Sequence, residues 1–188
     1  MKHSANREFY SYWDSKRAGA AAPERSDLEP EHVRHLLGDI FVLSCDAASG
    51  YPLRVAGTRM CALVGHDLKG QSFTNLFHEN DRAEIEDILA IVAEEMIATV
   101  AGVTTRTPDG TQIHLELLLL PFSARSYSPL SMTGLLAPLS PVSGPQAYGG
   151  LKDFSITSWR HLGHERTGPR ALRKWSIIRG LTVYEGLR

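Results

Sequence analysis

The 188-residue sequence has only two cysteines, Cys45 and Cys61, and no Cys-x-x-Cys spacing. That excludes a disulfide framework, and both thiols read as reduced core residues. No apolar run approaches the roughly 20 residues that span a bilayer. One such run, residues 117–122, is strand-sized. The opening MKHSANREFYSYW lacks the apolar stretch of a signal peptide, so a cytoplasmic chain without membrane contact is expected. Also missing are a Gly-x-Ser-x-Gly elbow, a Walker loop and a dinucleotide fingerprint. No set of nucleophile, base and orienting group follows from the spacing. No catalytic residue is assigned, and an enzyme is not expected.

Net charge is scarce as well. The formal value of −1 argues against a uniformly basic nucleic-acid binder. Its distribution is uneven. From His161 onward, Arg166, Arg170, Arg173, Lys174, Arg179 and Arg188 face only Glu165 and Glu185, a net +4 that leaves −5 for the rest. The rival function drawn from this tail is a nucleic-acid-binding regulator, with residues 166–179 on phosphates and Trp175 stacking. Arg166-x-x-x-Arg170 also matches half of a cyclic-dinucleotide motif whose downstream half is missing.

What is present is a regular alternation of periods. Residues 7–22 read as a helix with Phe9, Tyr12, Trp13 and Lys16 near one face. A short helix follows, with Pro30 suited to its first turn and Val33, Leu36 and Leu37 pointing one way before Gly38. Ser26 and Glu29 have capping-box spacing. Residues 39–46 and 51–57 read as two strands around Ser49-Gly50. Residues 58–64 form a short helix with Thr58 as its N-cap. The clearest helix covers 79–98: Ile85, Ile88, Leu89, Val92 and Met96 share one face, while Glu84, Glu86, Asp87, Glu94 and Glu95 face outward. Strands over 99–107 and 111–122 flank the turn Pro108-Asp109-Gly110, and a third covers 130–139. Residues 151–160 suggest one strand more.

Two strands, short helices, one long helix and three strands make an α+β pattern, an antiparallel sheet with helices on one face. This order resembles the PAS fold over roughly 39–139. A narrower resemblance joins Tyr12-Trp13, Arg25-x-Asp27-x-x-Pro30, Ile40-Phe41-x-Leu43, Arg54-x-Ala56-Gly57-Thr58 and Gly65-x-Asp67-Leu68-x-Gly70. Those groups, in that order, are similar to a bacterial family of stand-alone PAS proteins with no attached output domain. The resemblance implies a PAS-like five-stranded sheet at 39–140, an N-terminal helical extension at 1–38, and a linker with a basic tail at 141–188. It also implies a non-catalytic sensory or adaptor role in bacterial signalling, through a small ligand, protein contacts or both.

The site expected from this pattern is a small apolar pocket, or a filled core in its place. Its candidates are Leu43, Arg54, Val55, Cys61, Ile88, Val92, Leu117 and Leu135. Arg54 would supply a cation for an anionic group. Tyr12, Trp13, Arg25, Asp27, Pro30, Gly57 and Thr58 are read as structural, with Arg25 and Asp27 forming a salt bridge or fixing the short helix to the sheet. The cofactor stays open. Haem is disfavoured because the long helix turns Ile and Val inward. Flavin is disfavoured because neither LSCDA nor RMCALV matches a reactive Asn-Cys-Arg-Phe-Leu segment. His32-x-x-His35 and His161-x-x-His164 lack partners at zinc-site spacing, so no metal is expected. The aromatic N-terminal helix is expected to cap the sheet or to form a homodimer seam. The expected partners of the protein are a second copy, an unidentified signalling protein, and a small apolar or amphipathic ligand.

Overall fold

The apolar alternation between residues 98 and 138 folds into three long neighbouring strands. The computed structural model describes residues 1–123, 130–140, 150–162, 173–178 and 181–185. Six strands form one antiparallel sheet: β1 (Ile40–Ser44), β2 (Leu53–Ala56), β3 (Ala98–Arg106), β4 (Gln112–Pro121), β5 (Ser131–Pro138) and β6 (Lys152–Leu162). Their order is β2-β1-β5-β4-β3-β6. The five expected strands are β1 to β5. The sixth, β6, takes the edge beside β3, so the sheet continues past residue 140. A separate hairpin pairs β7 (Arg173–Ile178) with β8 (Leu181–Glu185).

Among the described residues, three α-helices accompany the sheet: α1 (Ser4–Lys16), α2 (Thr58–Val64) and α3 (Arg82–Glu95). The last is shorter than its apolar period suggests, because residues 79–81 form a 3₁₀ turn and Met96 enters the left-handed region at φ 52°. Pro30 opens a 3₁₀ turn, Pro30–Val33, as its fixed φ favours. So short a turn does not keep a 3.6-residue period. Val33 and Leu36 are buried, but Leu37 is 42% exposed rather than sharing their face. No described helix is long and apolar enough to cross a membrane.

Two apolar layers result, one on each face of the sheet. The helix-side layer joins Phe41, Leu43 and Leu53 to Met60, Leu63, Ile85, Ile88, Leu89, Val92, Leu115, Leu117 and Leu119. The opposite layer joins Phe9 and Trp13 of α1 to Leu118, Leu120, Leu135 and Ala137. Successive residues of β4 therefore feed different cores, as the two-residue strand period requires.

The corner from β2 into α2 is set by contact between two backbones. Gly57 occupies the N-cap position, and its extended φ of −68° is open to any residue. Space is what demands glycine there. A Cβ would lie 2.2 Å from the Gly38 carbonyl oxygen and 2.5 Å from that of Leu37. The same Gly38 oxygen accepts from the Arg59 N–H at 2.8 Å and the Met60 N–H at 3.1 Å. It thus satisfies two donors that a helix start leaves unpaired. Thr58, expected to cap α2, is instead its first residue, and no side chain caps this helix. We predict that Gly57→Ala lowers stability in urea by at least about 2 kcal/mol, because backbone atoms cannot step aside cheaply. Thr58→Ala should change it by less than about 0.5 kcal/mol, whereas a capping role would cost about 1.

Candidate functional site

The helix-side core brings together four of the expected pocket residues. Leu43, Ile88, Val92 and Leu117 are at most 1% exposed and belong to one contiguous cluster. Cys61 packs on its margin, partly buried. The remaining three lie elsewhere. Leu135 belongs to the opposite core under α1. Arg54 and Val55 are both exposed on the edge strand β2, Val55 by 44%. An edge strand lacks a covering layer over its outer residues, so apolar alternation alone does not bury them.

Four aromatic rings cross this core and were not anticipated as a unit. Phe41 stacks on Phe73 at 5.1 Å, Phe73 meets Phe77 at 5.5 Å, and Phe77 meets Phe154 at 6.1 Å. They run from β1 to β6 through the loop before α3. Such offset and tilted contacts are the favoured geometries for aromatic pairs. At the rim of this core, burial pushes the Cys45 thiol up to about 11, so it stays protonated at neutral pH.

The arginine that matters at the corner is Arg59. Its Nε donates to Asp39 Oδ1 at 2.8 Å, and its NH2 group donates to Asp39 Oδ2 at 2.6 Å and to the His35 carbonyl at 2.7 Å. The hydrogen bonds to Asp39 raise the guanidinium above its ordinary value. This fork ties α2 to the start of β1 and holds the two glycine backbones together. Arg25 and Asp27 form no ion pair. Asp27 accepts the Glu24 N–H at 2.8 Å, and Arg25 is exposed.

The outer face of the sheet carries the polar cluster that sequence reasoning missed. Glu116 of β4 is 5% exposed, yet its carboxylate is well supplied with donors. The N–H of Lys2 reaches Oε1 at 2.6 Å, and that of His3 reaches Oε2 at 2.9 Å. The Asn6 amide donates to Oε2 at 3.1 Å and to the Glu116 carbonyl at 3.2 Å. Burial alone would raise this carboxyl. The Lys2 and His3 N–H groups, the Asn6 amide and the charged amino terminus outweigh it and hold the pKa below the usual range. An acid at the positive end of a helix is favourable, and here it comes from a strand more than a hundred residues away. An acid inside a run of leucines was the available signal.

Two of the residues read as structural, Tyr12 and Trp13, tie α1 to its neighbours. Trp13 Nε1 donates to the Pro121 carbonyl at 2.9 Å. The Tyr12 hydroxyl accepts the Glu29 N–H at 2.8 Å and donates to the Glu29 carbonyl at 3.2 Å. His32 and His35 sit on the surface, each beside a carboxylate, Glu29 and Glu8. Among the described residues, no three His, Cys, Asp or Glu side chains gather as a metal site. Arg166, Arg170 and Arg179 of the basic tail lie outside the described residues.

The sequence pattern of a family described as "PAS domain" matches residues 1–137. No curated protein matches the sequence. A LOV protein of Rhodobacter sphaeroides is 11% identical, over 60% of this chain and 69% of that one, with a TM-score of 0.43. The PAS-B domain of Drosophila melanogaster Cycle, solved with bound ethylene glycol, is 19% identical over 53% of this chain and 98% of its own, at 0.43. The PAS domain of an HTR-like protein from Haloarcula marismortui is 17% identical over 57% and 89%, also at 0.43.

Glu116 gives a pH prediction. A carboxyl whose folded pKa is depressed contributes stability above its unfolded value, near 4.3, and loses it as pH falls through the folded value. At neutral pH, Glu116→Gln should therefore cost about 1.5–3 kcal/mol, the range for hydrogen bonds to a charged group. Thermal melts of both proteins should converge as pH falls below about 4. A gap independent of pH would contradict the role given to the carboxylate.

Proposed function

We propose a role that starts from one fact: the chain belongs to the PAS-domain family. Domains of this family are sensory signalling modules, typically non-catalytic, and they commonly work through protein contacts and dimerisation. On our reading this chain is a cytoplasmic sensory or adaptor protein in bacterial signalling. Its output leaves through a protein surface, and that surface is centred on α1.

The observation that carries this reading is the position of α1. It lies across β4 and β5 and covers Leu118, Leu120, Leu135 and Ala137. Only one face of a 13-residue helix is committed to that layer. Tyr10 and Tyr12 stay partly exposed beside it. Shifting the helix would uncover an apolar sheet face, the type of surface that a second protein buries. A two-fold homodimer through this side is the simplest assembly. A change in the helix-side core is transmitted through β4, whose alternate residues belong to both layers.

Native mass spectrometry of the full chain tests this. Two copies of the 20.7 kDa protomer are expected. Removal of residues 1–17 should abolish the pair and lower the melting temperature, or cause aggregation. A single-copy mass for the full chain, or an unchanged mass and melting point after the deletion, would overturn the reading.

A further inference from the structure

A cleft of about 570 Å³ opens at the margin of the helix-side core, between the end of α2, the loop before α3 and the start of β6. Val64, Leu76 and Leu151 give it an aliphatic floor, each at most 8% exposed. Asn75, Lys152 and Asp153 stand at its mouth. Among the described residues, none of these three side chains has a hydrogen-bond or ion-pair partner. Beside them His66 and Gln71 already hold each other, Nε2 to Oε1 at 3.2 Å.

The backbone presents Lys152 and Asp153 together. Successive residues of a regular strand point to opposite faces. Here the register of β6 against β3 slips between Thr104 and Arg106, and Asp153 sits at φ 53°. Asp tolerates the left-handed region better than most residues, although the conformation still costs about 1 kcal/mol. Bulges of this sort re-aim side chains. The flanking chain is pinned. Gly150 and Leu151 donate to the carbonyls of Val64 and Leu63, both at 3.1 Å, and the Phe154 carbonyl accepts the His78 N–H at 2.9 Å. Lys152, Asp153 and Asn75 thus line one cleft, on a fixed frame and over an aliphatic floor.

We propose that this cleft binds a small zwitterion, an aliphatic α-amino acid or its dipeptide. Lys152 and the Asn75 amide take the ligand carboxylate, Asp153 takes its ammonium, and the aliphatic side chain rests on Val64, Leu76 and Leu151. The volume is within the common range for small-molecule sites, and two opposite charges at the mouth select against ligands with one charge alone. The site deepens the sensory reading by giving it an input class, and it rests on that reading for its purpose.

Isotope-edited NMR titration of the full chain tests it, with L-leucine and L-leucyl-L-leucine as probes. Saturable shifts at residues 75, 152 and 153 are expected. Lys152→Met and Asp153→Asn should each weaken binding about tenfold or more, as loss of one charge-assisted contact implies, with no change in the urea midpoint. 4-Methylpentanoate, which lacks the ammonium, should bind no better than either variant binds leucine. Saturation by neither zwitterion overturns the proposal. So does binding that survives both substitutions, or 4-methylpentanoate binding as well as leucine. A dimer that persists while the titration fails removes the cleft and leaves the sensory reading. A working titration on a single-copy protein does the reverse.

Discussion

Strand β4 has no solvent face along its buried half, and the rest of the molecule is arranged around that constraint. Leu115, Leu117 and Leu119 belong to the core under α2 and α3, while Leu118 and Leu120 belong to the core under α1. Each such side chain contributes about 1.5–3 kcal/mol when it leaves water, provided both layers are present. A sheet with one bare face would forfeit the second set. The helix α1 is therefore part of the domain, and Glu116 explains why it lies where it does. A buried carboxylate is expensive unless donors meet it, and Lys2 and His3 at the entry to α1, with Asn6 of its first turn, supply them. The apolar layer and the polar latch require the same placement of the same helix.

The corner at Gly38 and Gly57 performs the corresponding task on the other face. Two backbones touch at Gly57, where a side chain has no room, one carbonyl caps α2, and the Asp39–Arg59 fork closes over Gly38. That contact positions α2 over the core crossed by Phe41, Phe73, Phe77 and Phe154. Both anchors join segments distant in sequence through charge-assisted hydrogen bonds, which specify geometry as well as adding stability.

What could be read in advance followed physical locality. The α3 periodicity, the Pro108-Asp109-Gly110 turn and the helix at 58–64 are decided by neighbours within a few residues, and each was legible. The cap of α2 was not, because its acceptor is a carbonyl 20 residues upstream rather than the hydroxyl of Thr58. Leu135 and Leu136 are adjacent and both apolar, so only pairing with β1 and β4 decides which faces which core. Glu116 alternates with leucines and reads as a solvent-facing acid until α1 is laid over it. Val55 fits a buried alternation but belongs to an edge strand. Of the residues read as structural, Thr58 does not cap α2 and Arg25 and Asp27 do not pair, whereas Tyr12, Trp13 and Gly57 make close packing contacts. Their role is packing, which sequence pattern reports, whereas a pocket depends on which face each strand turns inward.

Hydrogen exchange of the full-length protein at neutral pH would test most directly whether α1 and the sheet are one unit. If the Glu116 latch and the shared apolar layer bind them as described, amides in the middle of α1 and in β4 should open together, with the same free energy and the same response to urea. Rapid exchange throughout α1 while β4 remains protected would show that the helix is a dispensable appendage, and would contradict the account.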